Sequence, residues 1–150
     1  MNNKTIFSFD FSMAKPALCV YINDKILFYC FPMNLDSKSE NKLSNYNVNV
    51  LNRNLSSIDK KKFTSNELVV EHIKRANELS EMIINVIFYL LNEYNITINE
   101  DVIISSEGLS FASKGDATLD LSGYKYVLLS KLYSKGFTNI KTYSPTENFE

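Results

Sequence analysis

An excess of charge of either sign is missing from this chain. Sixteen Lys and Arg face seventeen Asp and Glu over 150 residues, a net charge of −1. That balance excludes a protein that coats nucleic acid through its whole surface, so any nucleic-acid contact has to come from a local patch. Metal-binding soft ligands are scarce. Two cysteines, Cys19 and Cys30, and one histidine, His72, are too few for a zinc site of the Cys/His kind. Long apolar runs are lacking too. The longest lies around Met82–Leu91, is interrupted by Asn85, and is too short and too amphipathic to span a membrane. Met1-Asn2-Asn3-Lys4-Thr5 leads directly into a strand-like run and lacks the layout of a signal peptide, so a cytoplasmic protein is expected. The 45% hydrophobic and 22% charged residues exclude wholesale disorder. The length suits a single domain over residues 1–150.

The first 32 residues read as three strands. Thr5–Phe11 alternates, with Phe7, Phe9 and Phe11 on one face and Ile6, Ser8 and Asp10 on the other. Pro16–Ile22 and Lys25–Phe31 follow, joined by an Asn23-Asp24 turn, which makes an antiparallel meander. Cys19 and Cys30 would then be diagonal or on opposite faces, and are expected as free thiols. Residues 33–64 are rich in Asn, Ser and Lys and include Lys60-Lys61-Lys62. They read as a long solvated excursion, with a short edge strand suggested by the alternation of Tyr46, Val48 and Val50.

Thr64-Ser65-Asn66-Glu67 fits a helix capping box. Leu68, Ile73, Ala76, Leu79, Ile83, Val86, Ile87, Leu90 and Leu91 then form an apolar stripe. The helix, about 40 Å long at 1.5 Å per residue, would cross a whole sheet. His72 falls among Glu71, Lys74 and Arg75, on what reads as the solvated side. Val102–Ser106 is continuous rather than alternating in character, apolar at Val102, Ile103 and Ile104 and small at Ser105 and Ser106, the pattern of a strand buried on both faces. Glu107–Gly115 reads as a loop and Thr118–Lys135 as a second helix stopped by Gly136. Asn139–Tyr143 reads as a fifth strand. The order β-β-β-α-β-α-β predicts an α/β fold with a mixed five-stranded sheet. Three antiparallel strands are followed by two parallel ones, with helices packed on them, as in the ribonuclease H-like fold.

Two acids stand out. Asp10 closes a strand of Phe, Ile and Ser, where a charge needs a partner, water or a metal. Glu107 closes the strand that returns from the long helix. Sites in such sheets collect at the carboxyl ends of strands. If the two strands are neighbours, about 4.8 Å apart, both carboxylates face one pocket. A pair of carboxylates without His or Cys partners suits a hard ion, Mg²⁺ or Mn²⁺. Read singly, Asp10 is equally a turn-capping residue and Glu107 an ordinary loop acid.

Phe9-Asp10-Phe11-Ser12-Met13-Ala14-Lys15-Pro16-Ala17 resembles the first motif of the RuvC-like Holliday junction resolvases, phage and viral members in particular. Ile103-Ile104-Ser105-Ser106-Glu107-Gly108-Leu109-Ser110-Phe111-Ala112-Ser113-Lys114-Gly115 resembles their second. The resemblance covers most of residues 4–146, with 33–64 only loosely matched. It implies Mg²⁺- or Mn²⁺-dependent phosphodiester hydrolysis in branched DNA by a homodimer, in the host cytoplasm if phage-encoded. Asp10 and Glu107 would be the catalytic metal ligands. Lys15, Ser113, Lys114 and Gly115 would contact DNA, with Lys60–Lys62 as further backbone contacts. It also implies one or two more acids on a helix after the fifth strand. The sequence reaches Glu150 where that helix would begin, so the domain is expected to be C-terminally truncated. Glu147 and Glu150, spaced i, i+3, are the nearest substitutes. A non-catalytic DNA- or protein-binding module on the same fold is the alternative. A nucleotide-binding domain ranks last, because no glycine-rich phosphate loop follows the first strand.

Overall fold

A computed structural model describes residues 3–12, 15–59, 61–107 and 116–143, with the backbone alone described over 116–122. Six strands form one sheet: β1 (Thr5–Asp10), β2 (Ala17–Ile22), β3 (Lys25–Cys30), β4 (Val48–Val50), β5 (Val102–Glu107) and β6 (Ile140–Tyr143). Three helices accompany them: α1 (Ser37–Asn45), α2 (Ser65–Glu93) and α3 (Asp116–Ser134). The strand order is β4-β3-β2-β1-β5-β6. The β1–β2 and β2–β3 pairs are antiparallel. The pairs β1–β5, β5–β6 and β3–β4 are parallel. The carboxyl ends of β1, β3, β4, β5 and β6 therefore share one end of the sheet.

Alternation divides the sheet into two faces. Phe7, Phe9, Leu18, Val20, Ile22, Val102 and Ile104 are buried against Leu79, Ile83, Ile87 and Leu90 of α2 and Leu128 and Leu132 of α3. Both crossover helices cover this face, and Lys131 of α3 donates to Glu81 of α2 at 2.8 Å. Asp10 and Glu107 belong to the opposite face, with Ile6, Ser8, Cys19 and Phe28. That face is open over the meander, where Ile26 is 60% and Phe28 48% exposed. On β5, Ile103 and Ser105 are buried as well as Val102 and Ile104, so the strand is buried on both faces, as its apolar run implied.

The sixth strand corrects the expected five. β4 extends the sheet beyond β3, at the place where Val48 and Val50 alternate, and α1 precedes it. The excursion over 33–59 is ordered by its asparagines. Asn52 accepts from the Leu35 N–H at 3.0 Å and donates to the Leu35 carbonyl at 2.9 Å. Asn34 bonds the N–H and carbonyl of Leu55 in the same two-way manner. An amide side chain offers one donor and one acceptor, so it replaces a missing strand neighbour. Asparagine and aspartate also make the left-handed turns in a chain with four glycines: Asn23, Asp24, Asn34, Asn47 and Asn95 have φ between 49° and 59°. The consecutive pair Asn23-Asp24 has the positive φ values a type I′ hairpin needs.

The expected cap of α2 and stop of α3 hold, while α3 runs over Asp116–Ser134 rather than Thr118–Lys135. Thr64 caps α2, accepting from the Glu67 N–H at 3.2 Å and donating its hydroxyl to the Glu67 carboxylate at 3.1 Å. Gly136 ends α3 at φ 100°. Ile73 departs from its stripe: it is 61% exposed, and the buried residues of α2 begin only at Arg75. His72 also departs from expectation. It is half-buried, its ring edge-on to Tyr124 at 6.5 Å, because α3 crosses that flank of α2. Among the described residues no helix is long and apolar enough to cross a membrane.

Candidate active site

Asp10 and Glu107 are brought together by register. β1 and β5 run parallel, and their last paired residues are Phe9 and Ser106. Asp10 and Glu107 are the next residue of each strand, on the same open face and both exposed. Neighbouring strands are about 4.8 Å apart, so the two side chains leave adjacent points of the sheet. Ala17 of β2 faces Asp10 from the other side, and a methyl leaves the space above it open. A shallow, mainly apolar hollow of about 420 Å³ adjoins Asp10, lined by Ser8, Ala17, Cys19, Phe28 and Cys30 with Leu43 of α1.

Cations gather at the same end of the sheet. Lys15 lies in the β1–β2 connection, its N–H bonded to the Ser12 hydroxyl at 3.2 Å. Arg53 is buried and donates its Nε–H to the Phe31 carbonyl at 3.0 Å, just past β3. Burial pushes the Arg53 pKa down, nearby Tyr124 opposes this and Arg75 adds to it. Arg75, at the start of the buried face of α2, bonds Glu71 at 3.0 Å and also the Ser56 carbonyl, which ties residues 53–56 to the helix. Lys125 reaches from α3 to the Glu107 carbonyl at 3.0 Å and is 4% exposed. Its pKa is lowered by burial, with the charge of Glu107 acting the other way.

Cys19 and Cys30 are free thiols on one face, set diagonally: Cys19 pairs with Phe28 and Cys30 with Ala17. Burial raises the pKa of each, and for Cys30 the charges of Lys15 and Arg53 act in the opposite direction. Neither thiol is poised as a nucleophile.

Ser113, Lys114 and Gly115 lie outside the described residues, as do Lys60, Glu147 and Glu150. Lys61 and Lys62 are exposed ahead of α2. Among the described residues no group of three or more His, Cys, Asp and Glu is placed to hold a metal. The donor set is two carboxylates. That set fits a hard divalent cation completing its shell with water, since Mg²⁺ is commonly held by one or two carboxylates.

Sequence reasoning missed Lys125 and Arg53. Lys125 had a signal: it shares the helical stripe of Leu128, Leu129 and Leu132, and a charge inside an apolar stripe needs a reason. Arg53 had none, because it belongs to an irregular segment and forms an isolated bridge to Met33 outside the strands.

No family model matches the chain, and no curated protein matches its sequence. Among solved structures, Thermus thermophilus RuvC in complex with a Holliday junction substrate matches with a TM-score of 0.50 and 9% identity. The match covers 95% of this chain and 65% of that one. A second Thermus thermophilus RuvC structure matches with a TM-score of 0.46 and 9% identity, covering 94% of this chain and 64% of that one. At such identity the first match establishes the fold: a ribonuclease H-like α/β architecture whose mixed sheet here has six strands. It lends no support to a phage or viral type.

Proposed function

We propose that this chain is the core of a divalent-metal-dependent endonuclease of the Holliday junction resolvase type, which hydrolyses phosphodiester bonds in branched DNA. The observation that carries the reading is the Asp10–Glu107 pair at adjacent strand ends of a ribonuclease H-like sheet, with the Lys125 ammonium on the Glu107 carbonyl and Lys15 in the connection that follows Asp10. The similar RuvC structure holds a Holliday junction substrate.

Asp10 and Glu107 would hold Mg²⁺ or Mn²⁺. When bound, the ion supplies Lewis-acid polarisation of the phosphate and acidification of a coordinated water. The chain's own contribution is placement. β1 and β5 fix the two carboxylates on one rigid face, so little reorganisation is needed as charge develops. The open face over the meander leaves room for a nucleic-acid strand. Lys15 offers a mobile cation to the backbone beside the scissile phosphate, and Ser113, Lys114 and Gly115 belong to the same proposed contact surface. A homodimer would present two such centres to the two strands of a junction.

The test is cleavage of a four-way junction by the full chain in Mg²⁺. Asp10→Asn and Glu107→Gln are each expected to lower the rate by 10²-fold or more, a loss of about 3 kcal/mol or more in transition-state stabilisation. Both side chains are exposed, so the melting temperature in EDTA should fall little. Cleavage that survives Asp10→Asn would refute the assignment.

One observation favours a second reading. The described residues contain two suitable acids and no third. A module that binds branched DNA or a protein partner without cutting would need no more. Junction binding without cleavage in either Mg²⁺ or Mn²⁺ is the outcome that selects it.

A further inference from the structure

Lys125 stands where an apolar side chain would fit the pattern. Leu128, Leu129 and Leu132 occupy the same buried face of α3, and Lys125 is buried with them. Withdrawing an ammonium from water is strongly unfavourable unless its surroundings compensate. The described bond is to the main-chain carbonyl of Glu107. A carbonyl does not call for a charge. Elsewhere in this chain neutral donors serve: Asn139 donates to the Glu100 carbonyl at 2.8 Å, and Ser134 to the Ser130 carbonyl at 3.0 Å.

The position of this carbonyl supplies the reason. Successive residues of a strand turn their N–H and C=O toward opposite neighbours. The Ile104 N–H bonds the Asn139 carbonyl, on the β6 side. The Glu107 carbonyl, three residues on, therefore opens toward β1, which ends at Asp10. The carbonyl that holds the ammonium thus faces the strand end that carries Asp10, and Glu107 is the acid whose charge acts on Lys125. Like charges side by side on neighbouring strands are destabilising. A buried cation opposes that repulsion more effectively than the exposed Lys15, because buried charges are screened less.

We propose that Lys125 is the built-in counter-cation of the Asp10–Glu107 pair, fixed against the last carbonyl of β5 so that it offsets the two carboxylates and positions Glu107 until a divalent cation assumes that charge. This rests on the metal-site reading above and makes Lys125 a positioning residue. Lys125 and the divalent ion then perform overlapping electrostatic work. Their contributions to stability are consequently non-additive.

The test is thermal melting and calorimetric Mn²⁺ titration of the full chain as wild type, Lys125→Met, Lys125→Gln and Asp10→Asn. Lys125→Met is expected to lower the melting temperature in EDTA by about 4 °C or more. Saturating Mn²⁺ should restore at least half of that loss, and Mn²⁺ should bind the variant severalfold more tightly than wild type. Lys125→Gln keeps an N–H donor without the charge and should respond to Mn²⁺ as Lys125→Met does. A melting loss that Mn²⁺ leaves unchanged, or a Gln variant indistinguishable from wild type, overturns the proposal and leaves Lys125 as a carbonyl cap. Wild-type protein that ignores Mn²⁺, or a response that survives Asp10→Asn, brings down the metal-site reading and this inference with it. If Lys125→Met does not fold, Lys125→Gln decides, together with an Mg²⁺ titration of wild type followed at Lys125 Nζ by NMR. A shifted resonance supports the proposal and an unmoved one overturns it.

Discussion

Ser106 shows how individual residues at the end of β5 carry more chemistry than packing requires. Its hydroxyl is buried on the helix-covered face beside Phe9 and has no hydrogen-bond partner among the described residues. A buried polar group without a partner is destabilising by about 1–3 kcal/mol. Ser106→Ala should therefore leave stability unchanged or raise it by up to about 1 kcal/mol, read from denaturant midpoints at constant slope. A loss of stability would mean that the hydroxyl is bonded after all. Asp10 and Glu107 belong to the same scale. Their residue types and strand-end positions were legible in the sequence, because an acid closing an apolar strand breaks the pattern. Lys125 was equally visible as a charge in a helical stripe, but what it touches was not, since α3 meets β5 only in three dimensions.

Among the elements, α1 is the one that local sequence concealed. It buries no residue, so it has no apolar stripe to reveal it. Its order begins at Asp36, whose carboxylate accepts from the Ser39 N–H at 2.7 Å. That bond, first among several, holds the Asp36 pKa below its ordinary value of 3.8. The unfolded carboxyl takes up its proton at a higher pH than the capped one. The stabilisation is therefore complete above the unfolded pKa and is lost as pH falls through the lower, folded value. Acidification below about pH 4 should fray α1 first, seen as loss of the Ser39 amide's downfield position in NMR. Asp36→Ala should remove that pH dependence. Longer elements were readable in advance because their signals are cumulative. The 29-residue α2 combines a capping box with a sustained stripe, and β5 opens on three consecutive apolar residues, Val102, Ile103 and Ile104.

For the whole molecule, the near-zero net charge bears on how the proposed DNA binding would work. With a net charge of −1, the proposed attraction to phosphate has to come from a local patch, and the cations at the carboxyl end of the sheet are the candidate. If about three or four phosphates are engaged there, the logarithm of junction affinity should fall with the logarithm of salt concentration at a slope near −3 to −4. Fluorescence anisotropy of a labelled junction across a salt series in EDTA or Ca²⁺ measures it. A slope near zero would contradict phosphate recognition at this end of the molecule, whatever the cleavage result.

The sequence by itself determined the fold class and most of its elements. Periods of two and of 3.6 residues, caps and left-handed turns are local properties, and each leaves a mark within a dozen residues. It also marked the two acids. Only the tertiary structure decided that those acids stand side by side, because parallel pairing of β1 with β5 joins segments that share no local signal. The same holds for the parallel pairing of β4 with β3, for the asparagine amides that order the excursion, and for the buried ammonium behind Glu107. Each depends on which backbone groups are left for a distant side chain to satisfy, and that is settled only when the chain has folded.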